Sequence, residues 1–325
     1  MIVPQDWAEA KHRERVGGKQ TTIRRYGWSD ESAEAAQSHA EERLREALEQ
    51  HRAGTLRSRR DAKVAYNGAD GLPIREEILA RHGDTIITRN SYGAQCLNTP
   101  NVLFLDIDYP EPHPILPCLA TLVLFAAMGG IVYGLVNQYW LIAGISAGVL
   151  ALVFLAMELI RRGLNRSVRK QEPKIRERIA AFLDSRPEWR LRVYRTPNGF
   201  RLLAMHRTFE PRSPEVAEVF RELRVDPVYA IMCHNQNCFR ARVSPKPWRM
   251  GMEERFRPRP GVWPVKEEWL PGRAAWVARY EELAKDYSAC RFEEELGTGS
   301  VHPAAAAVRD LHDRLANATT DLPMA

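Results

Sequence analysis

Residues 115–135 (ILPCLATLVLFAAMGGIVYGL) contain no charged side chain, and residues 141–160 (LIAGISAGVLALVFLAMELI) contain a single one, Glu158. Each run has about the 20 residues that an α-helix needs to cross the hydrocarbon core of a bilayer. The linking residues 136–140 (VNQYW) allow only an antiparallel turn. The sequence therefore predicts a two-helix transmembrane hairpin over residues 115–160, with the lipid bilayer as a partner. A pair of buried core helices is the alternative.

The charges around this hairpin predict its orientation. Five cations follow the second run, whereas VNQYW carries no charge: Arg161, Arg162, Arg166, Arg169 and Lys170. Because positive residues stay on the cytoplasmic side, both termini are expected in the cytoplasm. The first residues lack the apolar core of a signal peptide.

Composition narrows the classes of protein without deciding the function. The hydrophobic content of 45% and charged content of 27% are those of a folded chain rather than a disordered one. Five cysteines suit a reducing compartment and do not form an even disulfide framework. The net charge of +6 favours anionic partners, but cytoplasmic segments of membrane proteins carry the same excess.

The sequence around the hairpin predicts an α+β fold with a mainly antiparallel sheet and flanking helices, interrupted by the hairpin. We expect five segments: an N-terminal helical arm (1–60), a first part of the α+β domain (61–114), the hairpin (115–160), a second part (161–256), and a Pro-rich linker with C-terminal helices (257–325).

Alternation and turn signals place the elements within these segments. Strands are predicted at 85–88, 101–108, 189–195, 200–206, 228–233 and 239–244. Helices are predicted at 30–53, 174–183, 267–287 and 303–318, and another begins after Ser213.

The strand at 101–108 (NVLFLDID) ends in two carboxylates. Its alternation puts Asp106 and Asp108 on one face, and Leu105 and Ile107 on the other. Paired carboxylates suit hard cations such as Mg²⁺ or Mn²⁺. Enzymes of two-metal phosphoryl transfer use such pairs to hold the ions against phosphate oxygens. The motif predicts a metal site, with a solvated strand end as the alternative.

Basic and polar side chains follow on the later strands. Arg240, Arg242 and Ser244 share a face of the strand at 239–244, Lys246 comes next, and Arg195 ends the strand at 189–195. Converging cations repel each other unless an anion lies between them, and a phosphate-rich ligand supplies one. These are therefore the candidate substrate-binding residues. A solvent face or a lipid-headgroup contact is the alternative.

The order of these motifs resembles that of the archaeo-eukaryotic primase-like polymerases. The D-x-D strand is followed by a hairpin ending in histidine (TPNGFRLLAMH), then by LRVDPVY and a basic strand ending in Lys. The resemblance implies that Asp106 and Asp108 bind catalytic metal, that His206 contacts the incoming nucleotide, and that Asp226 completes the metal site. The chain departs from the family pattern in Pro227, which follows Asp226, and in its membrane hairpin.

Three further patterns in the sequence bear on location or function. YNGADGLPIREEI, ITRNSYGAQCLNTP and FRARVSPKPWR resemble a family of bacterial inner-membrane proteins, which implies that location but no activity. LFLDID resembles the first motif of haloacid-dehalogenase-type phosphatases, but Pro110 stands where Thr or Val is expected. Cys233, His234, Cys238 and Cys290 could surround zinc, although C-x-x-x-x-C is an uncommon spacing for structural zinc.

Two hypotheses of function follow. The first is a membrane-tethered, metal-dependent, primase-like nucleotidyltransferase or related phosphoryl-transfer enzyme acting on nucleotides or nucleic acid. The second is a non-enzymatic membrane-anchored tether that binds nucleic acid, lipid or protein. An enzyme requires both aspartates to converge near His206, whereas a tether does not. Six residues separate Asp108 from Ile115, so the site is expected within about 20–25 Å of the membrane.

Overall fold

The polypeptide on the two sides of the apolar segment folds as one unit in the computed structural model. The structure describes residues 1, 3–16, 19–61, 72–109, 115–258 and 263–325. Residues Met1–Asp108 and Phe182–Ala325 form the first compact unit, and Tyr109–Ala181 form the second. The chain after the apolar segment therefore completes the unit that the preceding chain begins.

The first unit is an α+β fold with antiparallel sheets, as predicted. Its strands are β1 (Asp6–Val16), β2 (Lys19–Ser29), β3 (Glu77–His82), β4 (Thr85–Arg89), β5 (Gln95–Thr99), β6 (Phe104–Asp108), β7 (Leu191–Thr196), β8 (Gly199–Ala204), β9 (Phe239–Arg242) and β10 (Arg291–Leu296). They form a β1-β2 hairpin, a sheet of order β3-β4-β5-β9, and a sheet of order β10-β7-β8-β6.

The helices follow the predicted order with one addition. They are α1 (Ala33–Arg52), α2 (Ile115–Val136), α3 (Trp140–Asp184), α4 (Pro214–Leu223), α5 (Pro227–Gln236), α6 (Leu270–Ala284) and α7 (Pro303–Ala316). The predicted start of α4 is confirmed, because the Ser213 side chain accepts a hydrogen bond from the Val216 N–H and Pro214 follows it.

Strand β6 lies beside β8, which comes from the other side of the apolar segment. Phe104 faces Leu203 and Ile107 faces Phe200, and all four side chains are buried. Gly199, in the predicted turn, faces Asp108, and a Cβ there would lie 2.0 Å from the Ile107 carbonyl oxygen. Only glycine therefore allows the two strands to meet so closely at the end that carries Asp108.

The prediction of a purely helical N-terminal arm is wrong in its first half. Strands β1 and β2 pair along their whole length, from Asp6 opposite Ser29 to Val16 opposite Lys19. Helix α1 is close to the prediction and packs on β2 at Gly27, where a Cβ would lie 2.2 Å from the Ala40 nitrogen. The charge-rich sequence of β1 concealed the strand, because it buries alanine instead of large apolar residues on the helix side.

The apolar run at 228–233 forms helix α5, so the predicted strand there is wrong. Asp226 accepts hydrogen bonds from the N–H groups of Val228 and Tyr229 at 3.1 and 3.3 Å. Pro227 takes the first helical position, where its missing N–H is not needed. A short apolar run does not distinguish strand from helix, and the cap decides between them.

Strands β3, β5 and β10 were not predicted either. In β10 (RFEEEL), glutamates stand where an ordinary strand has apolar residues. They pair with arginines of the neighbouring strand β7 and with Arg190, which directly precedes β7. Glu295 contacts Arg192 at 2.9 Å and Arg190 at 2.5 Å. The predicted C-terminal segment of linker and helices therefore also contains a strand. Residues 62–71 and 259–262, in the predicted turns and Pro-rich linker, lie outside the described residues.

The second unit contains the apolar helices. In the part of the chain that the structure describes, one helical stretch, Trp140–Leu159, is long and apolar enough to cross a membrane; its mean hydropathy is 2.3 and none of it is buried. The described apolar part of α2, Val123–Val136, is shorter. Helix α3 runs for 45 residues, so the helix predicted at 174–183 is its last part.

Candidate functional site

Asp106 forms an ion pair with Arg201 directly across the β6–β8 pair. The Arg201 Nε and Nη2 donate to the two carboxylate oxygens at 2.8 and 3.2 Å. Arg201 is 3% exposed. Its remaining nitrogen, Nη1, donates to the Arg242 carbonyl at 2.8 Å and lies 3.4 Å from His312 Nε2. Burial disfavours the guanidinium charge, but Asp106 more than offsets this and raises the pKa of Arg201. Arg201 is therefore the permanent cation that Asp106 requires.

Asp108 ends β6, and its side chain reaches the surface. Loss of solvation raises its pKa, and the neighbouring charges of Asp106 and Asp226 add to the effect. A hydrogen bond from Asn198 and the charge of Lys246 act in the opposite direction. Asp106 and Asp226 are therefore close enough to Asp108 for their charges to act on it.

Asp226 reaches this neighbourhood through its backbone. Its N–H donates to the Asp106 carbonyl at 2.9 Å, which fixes the start of α5 beside β6. Both of its carboxylate oxygens accept from N–H groups of α5, as the helix cap requires. The proline after Asp226, which distinguishes this chain from the primase-like pattern, is thus part of a helix start.

The carboxylate oxygens do not form a ready metal site. Those of Asp106 bind Arg201, and those of Asp226 cap α5. Among the residues that the structure describes, no group of three or more His, Cys, Asp or Glu is arranged to hold a metal ion. The described residues do not form the alternative zinc site either. Cys233 and Cys238 are buried thiols with raised pKa values, whereas His234 is exposed.

His206 is not brought to the aspartates. It lies past the end of β8 that faces the start of β6, whereas Asp108 faces Gly199 at the other end, about 20 Å away along the strand. Its ring packs in an aromatic cluster, 4.4 Å from the Trp189 ring centroid and 5.5 Å from that of Phe209. Burial lowers its pKa to about 4, with Arg207 adding to the effect. His206 is therefore a neutral core residue.

Three of the predicted substrate-binding residues are engaged elsewhere. Arg195 donates to Glu293 at 2.7 Å on β10, on the sheet face opposite Asp106. Arg240 is buried and donates to both carboxylate oxygens of Glu76 at 2.8 and 2.6 Å. Ser244 is buried, accepts from the Gln95 N–H at 2.7 Å, and lies 2.6 Å from the Tyr280 hydroxyl. These three side chains therefore stabilise contacts within the fold and do not face a common ligand site with Asp106.

The other two, Arg242 and Lys246, join residues that sequence reasoning missed. Together with Tyr92, Trp248 and Arg249 they form what we call the Trp248 ridge. Trp248 is 56% exposed and meets Tyr92 edge-to-face at 5.3 Å between ring centroids. The Lys246 Nζ lies 5.5 Å from the Trp248 ring centroid. The signal available in the sequence was KPWR, which interleaves cations with an aromatic ring, directly after the basic strand.

The cations of the Trp248 ridge repel one another. Burial lowers the pKa of Lys246, and the charges of Arg242 and Arg249 lower it further. Burial and Arg242 likewise lower the pKa of Arg249. Asp108 is the nearby carboxylate that opposes both shifts. An anion placed on the ridge relieves this repulsion, so the arrangement favours an anionic ligand.

Comparison with protein-family models, with curated proteins and with solved structures found no match for this chain.

Proposed function

We propose that this chain is a membrane-tethered binding protein that holds single-stranded nucleic acid on the Trp248 ridge without a catalytic metal. The observation that carries the proposal is the placement of Lys246 and Arg249, whose charges repel, beside an exposed tryptophan. Phosphates satisfy the cations, and a base stacks on the ring. These are the two elements that non-specific single-strand binding combines.

The membrane tether is the part of the proposal drawn from the apolar segment. We expect both apolar helices to cross the bilayer as a hairpin, with both termini in the cytoplasm of a bacterial cell. The length and composition of Trp140–Leu159 and the basic residues that follow it support this. The insertion between β6 and β7 is sterically simple, because an antiparallel hairpin returns the chain to the side from which it left.

The contacts of the carboxylates favour binding over catalysis. A metal at Asp106 would have to share the carboxylate with the Arg201 guanidinium, against its positive charge, or displace it and leave a buried unpaired charge. A metal at Asp226 would have to share its carboxylate with the two N–H groups that it caps. His206 lies in an aromatic cluster at the far end of β8. Metal binding at these carboxylates therefore costs free energy, whereas an anion bound on the Trp248 ridge disturbs none of these contacts.

A primase-like nucleotidyltransferase remains the second candidate because of one observation. Asp106, Asp108 and Asp226 are close enough for the first and third to raise the pKa of Asp108. Clustered carboxylates with a raised pKa are common where a divalent cation binds. In this alternative, magnesium or manganese displaces Arg201 from Asp106, and the cations of the ridge hold the triphosphate.

The test is equilibrium binding of a fluorescent 12-nucleotide oligothymidylate to the full chain in detergent. Loss of one stacked base costs about 1–3 kcal/mol, so Trp248→Ala is expected to weaken binding roughly 5- to 150-fold. Lys246→Gln with Arg249→Gln should weaken it further and reduce its salt dependence.

Trp269→Ala is the matched control, since Trp269 is 40% exposed and, like Trp248, lies in a three-residue 3-10 turn. It should leave the affinity unchanged. Equal affinities for the wild type, Trp248→Ala and the Lys246/Arg249 double variant would contradict the proposal.

A further inference from the structure

The β1–β2 hairpin has one face that helix α1 covers and a second face that is closed at Tyr26, where Arg75 stacks on the ring, and open towards the turn. The part of this second face towards the turn is the open face. Helix α1 covers the face that contains Ala10, Ile23 and Gly27, all buried. Period-two alternation sends the neighbouring side chains to the other face. There Lys11, Arg13 and Arg15 are exposed, and they lie opposite Arg24, Thr22 and Gln20 of β2.

The cations of this open face form a straight row. Lys11, Arg13 and Arg15 are each two residues apart on one strand, which spaces them by about 6.8 Å. The carboxylates of β1 do not neutralise the row. Glu9 lies 3.7 Å from Arg24, and Glu14 points to the helix side, within 3.3 Å of His51.

A second basic segment runs along the outer edge of β2. The Arg24 N–H donates to the Arg59 carbonyl at 2.9 Å, and the Asp61 N–H donates to the Arg24 carbonyl at 3.3 Å. This places Arg57, Arg59 and Arg60, all exposed, beside the hairpin. The edge of the ribbon therefore extends the same positive charge.

We propose that the open face of the β1–β2 hairpin, which we call the basic ribbon (Lys11, Arg13 and Arg15), binds the phosphate backbone of duplex nucleic acid. A two-stranded ribbon fits the major groove, which is about 12 Å wide, and a row of cations follows a line of phosphates. The proposal widens the proposed function to a second form of nucleic acid and does not depend on the Trp248 ridge.

Duplex fits this face better than a lipid surface does. Interfacial lipid binding pairs cations with Trp, Phe or Leu that enter the acyl region. The ribbon tip, residues 15–20 (RVGGKQ), contains no aromatic residue or leucine, and the aromatic residues Trp7, Tyr26 and Trp28 lie at the opposite end of the hairpin. A surface with cations but no apolar side chain to insert is typical of proteins that contact the phosphate backbone of nucleic acid.

The test compares two triple variants of the full chain in detergent, with a 24-base-pair duplex DNA and a salt titration. Changing Lys11, Arg13 and Arg15 to glutamine should reduce the slope of log K against log salt by about 2.7, since each phosphate contact contributes about 0.9. The affinity at low salt should fall at least tenfold.

The control changes Arg221, Lys266 and Lys285 to glutamine. It removes the same charge from side chains that are 78%, 81% and 68% exposed. Its salt slope should match the wild type. Equal slopes for the two triple variants would overturn the proposal, because the effect would then be one of net charge.

Two further measurements separate this proposal from its neighbours. Binding of the 12-nucleotide oligothymidylate should persist in the Lys11/Arg13/Arg15 variant, and duplex binding should persist in Trp248→Ala. If the ribbon variant instead loses binding to anionic phosphatidylglycerol vesicles while keeping duplex binding, the ribbon contacts lipid and the proposal fails.

Discussion

Asp106 and Arg201 face each other across the β6–β8 pair and form a two-point ion pair, with the Arg201 Nε and Nη2 at 2.8 and 3.2 Å from the carboxylate oxygens. The two residues come from opposite sides of the apolar segment. The pair therefore links the two parts of the first unit. It also uses the carboxylate that the sequence assigned to a metal.

The first prediction concerns this pair. Arg201→Met should lower the free energy of unfolding by about 3 kcal/mol. This is the lower end of the range of about 3–5 kcal/mol for removing one partner of a buried ion pair, because Asp106 is partly exposed. Asp106→Asn should also destabilise the protein, since it leaves Arg201 buried with a weaker acceptor. Urea unfolding in mild detergent, followed by tryptophan fluorescence, measures both changes.

Arg221→Met is the control, because Arg221 forms only an exposed pair with Glu218 and should change stability by less than about 0.5 kcal/mol. A metal-binding carboxylate gives the opposite sign for Asp106→Asn. Removing one of two repelling charges would then stabilise the metal-free protein.

The core strands were predictable because their patterns are strong. The run VLFLDID, the alternation at 189–195 and the hairpin sequence TPNGFRLLAMH predicted β6, β7 and β8 nearly as observed. Strands β1 and β10 were missed because they are stabilised by a covering helix and by cross-strand ion pairs, which depend on partners distant in the sequence.

The site was predictable only in part. Alternation correctly put Asp106 and Asp108 on one face of β6. It could not give the cross-strand register that sets Arg201 against Asp106. The order of the motifs likewise did not indicate that His206 and Asp108 lie at opposite ends of the β6–β8 pair. Asp226-Pro227 is a helix-start signal like Ser213-Pro214, but the apolar run at 228–233 masked it.

The second prediction uses the pKa of His206, which is lowered from 6.5 to about 4. As the pH falls below 6.5, His206 becomes protonated in the unfolded chain but stays neutral in the folded protein. Stability is therefore complete above pH 6.5 and is lost as the pH falls towards 4. In His206→Phe this loss should be smaller. Urea midpoints at pH 7.5 and pH 5.0 measure it.

His234→Phe, at an exposed position of α5, should keep the wild-type pH dependence. The His206 variant should also bind oligonucleotide normally. Loss of binding in His206→Phe, with an unchanged stability profile, would favour the nucleotide contact that the primase-like resemblance implies.

The third prediction uses the raised pKa of Asp108. Below this raised pKa the carboxyl is neutral, so the Trp248 ridge is more positive and binds anions more tightly. As the pH rises through the pKa, both anion affinity and the contribution of Asp108 to stability decline. Asp108→Asn should bind oligothymidylate more tightly than the wild type at pH 7.5, with a flatter pH profile. Fluorescence anisotropy between pH 4.5 and 7.5 measures this, and lost binding in the variant would indicate a metal ligand.

The fourth prediction concerns the apolar segment. Reporter fusions before Met1, within residues 136–140 and after Ala325 should report the cytoplasm, the opposite compartment and the cytoplasm. A cytoplasmic signal from the middle fusion would contradict the hairpin. Replacing residues 115–160 with a short Gly/Ser linker should leave a protein that unfolds in one cooperative transition, because β6 and β8 belong to one unit.

The metal dependence of ligand binding tests the central claim most directly. Calorimetric titration of the full chain in detergent with oligothymidylate should give the same affinity in 5 mM MgCl₂ and in EDTA. Both solutions are kept at an ionic strength of about 0.1 M, so that screening is equal. Asp106→Asn at a temperature where it stays folded should bind with that same affinity. Binding that appears only with magnesium or manganese and disappears in Asp106→Asn would contradict the account and establish the metal-dependent enzyme in its place.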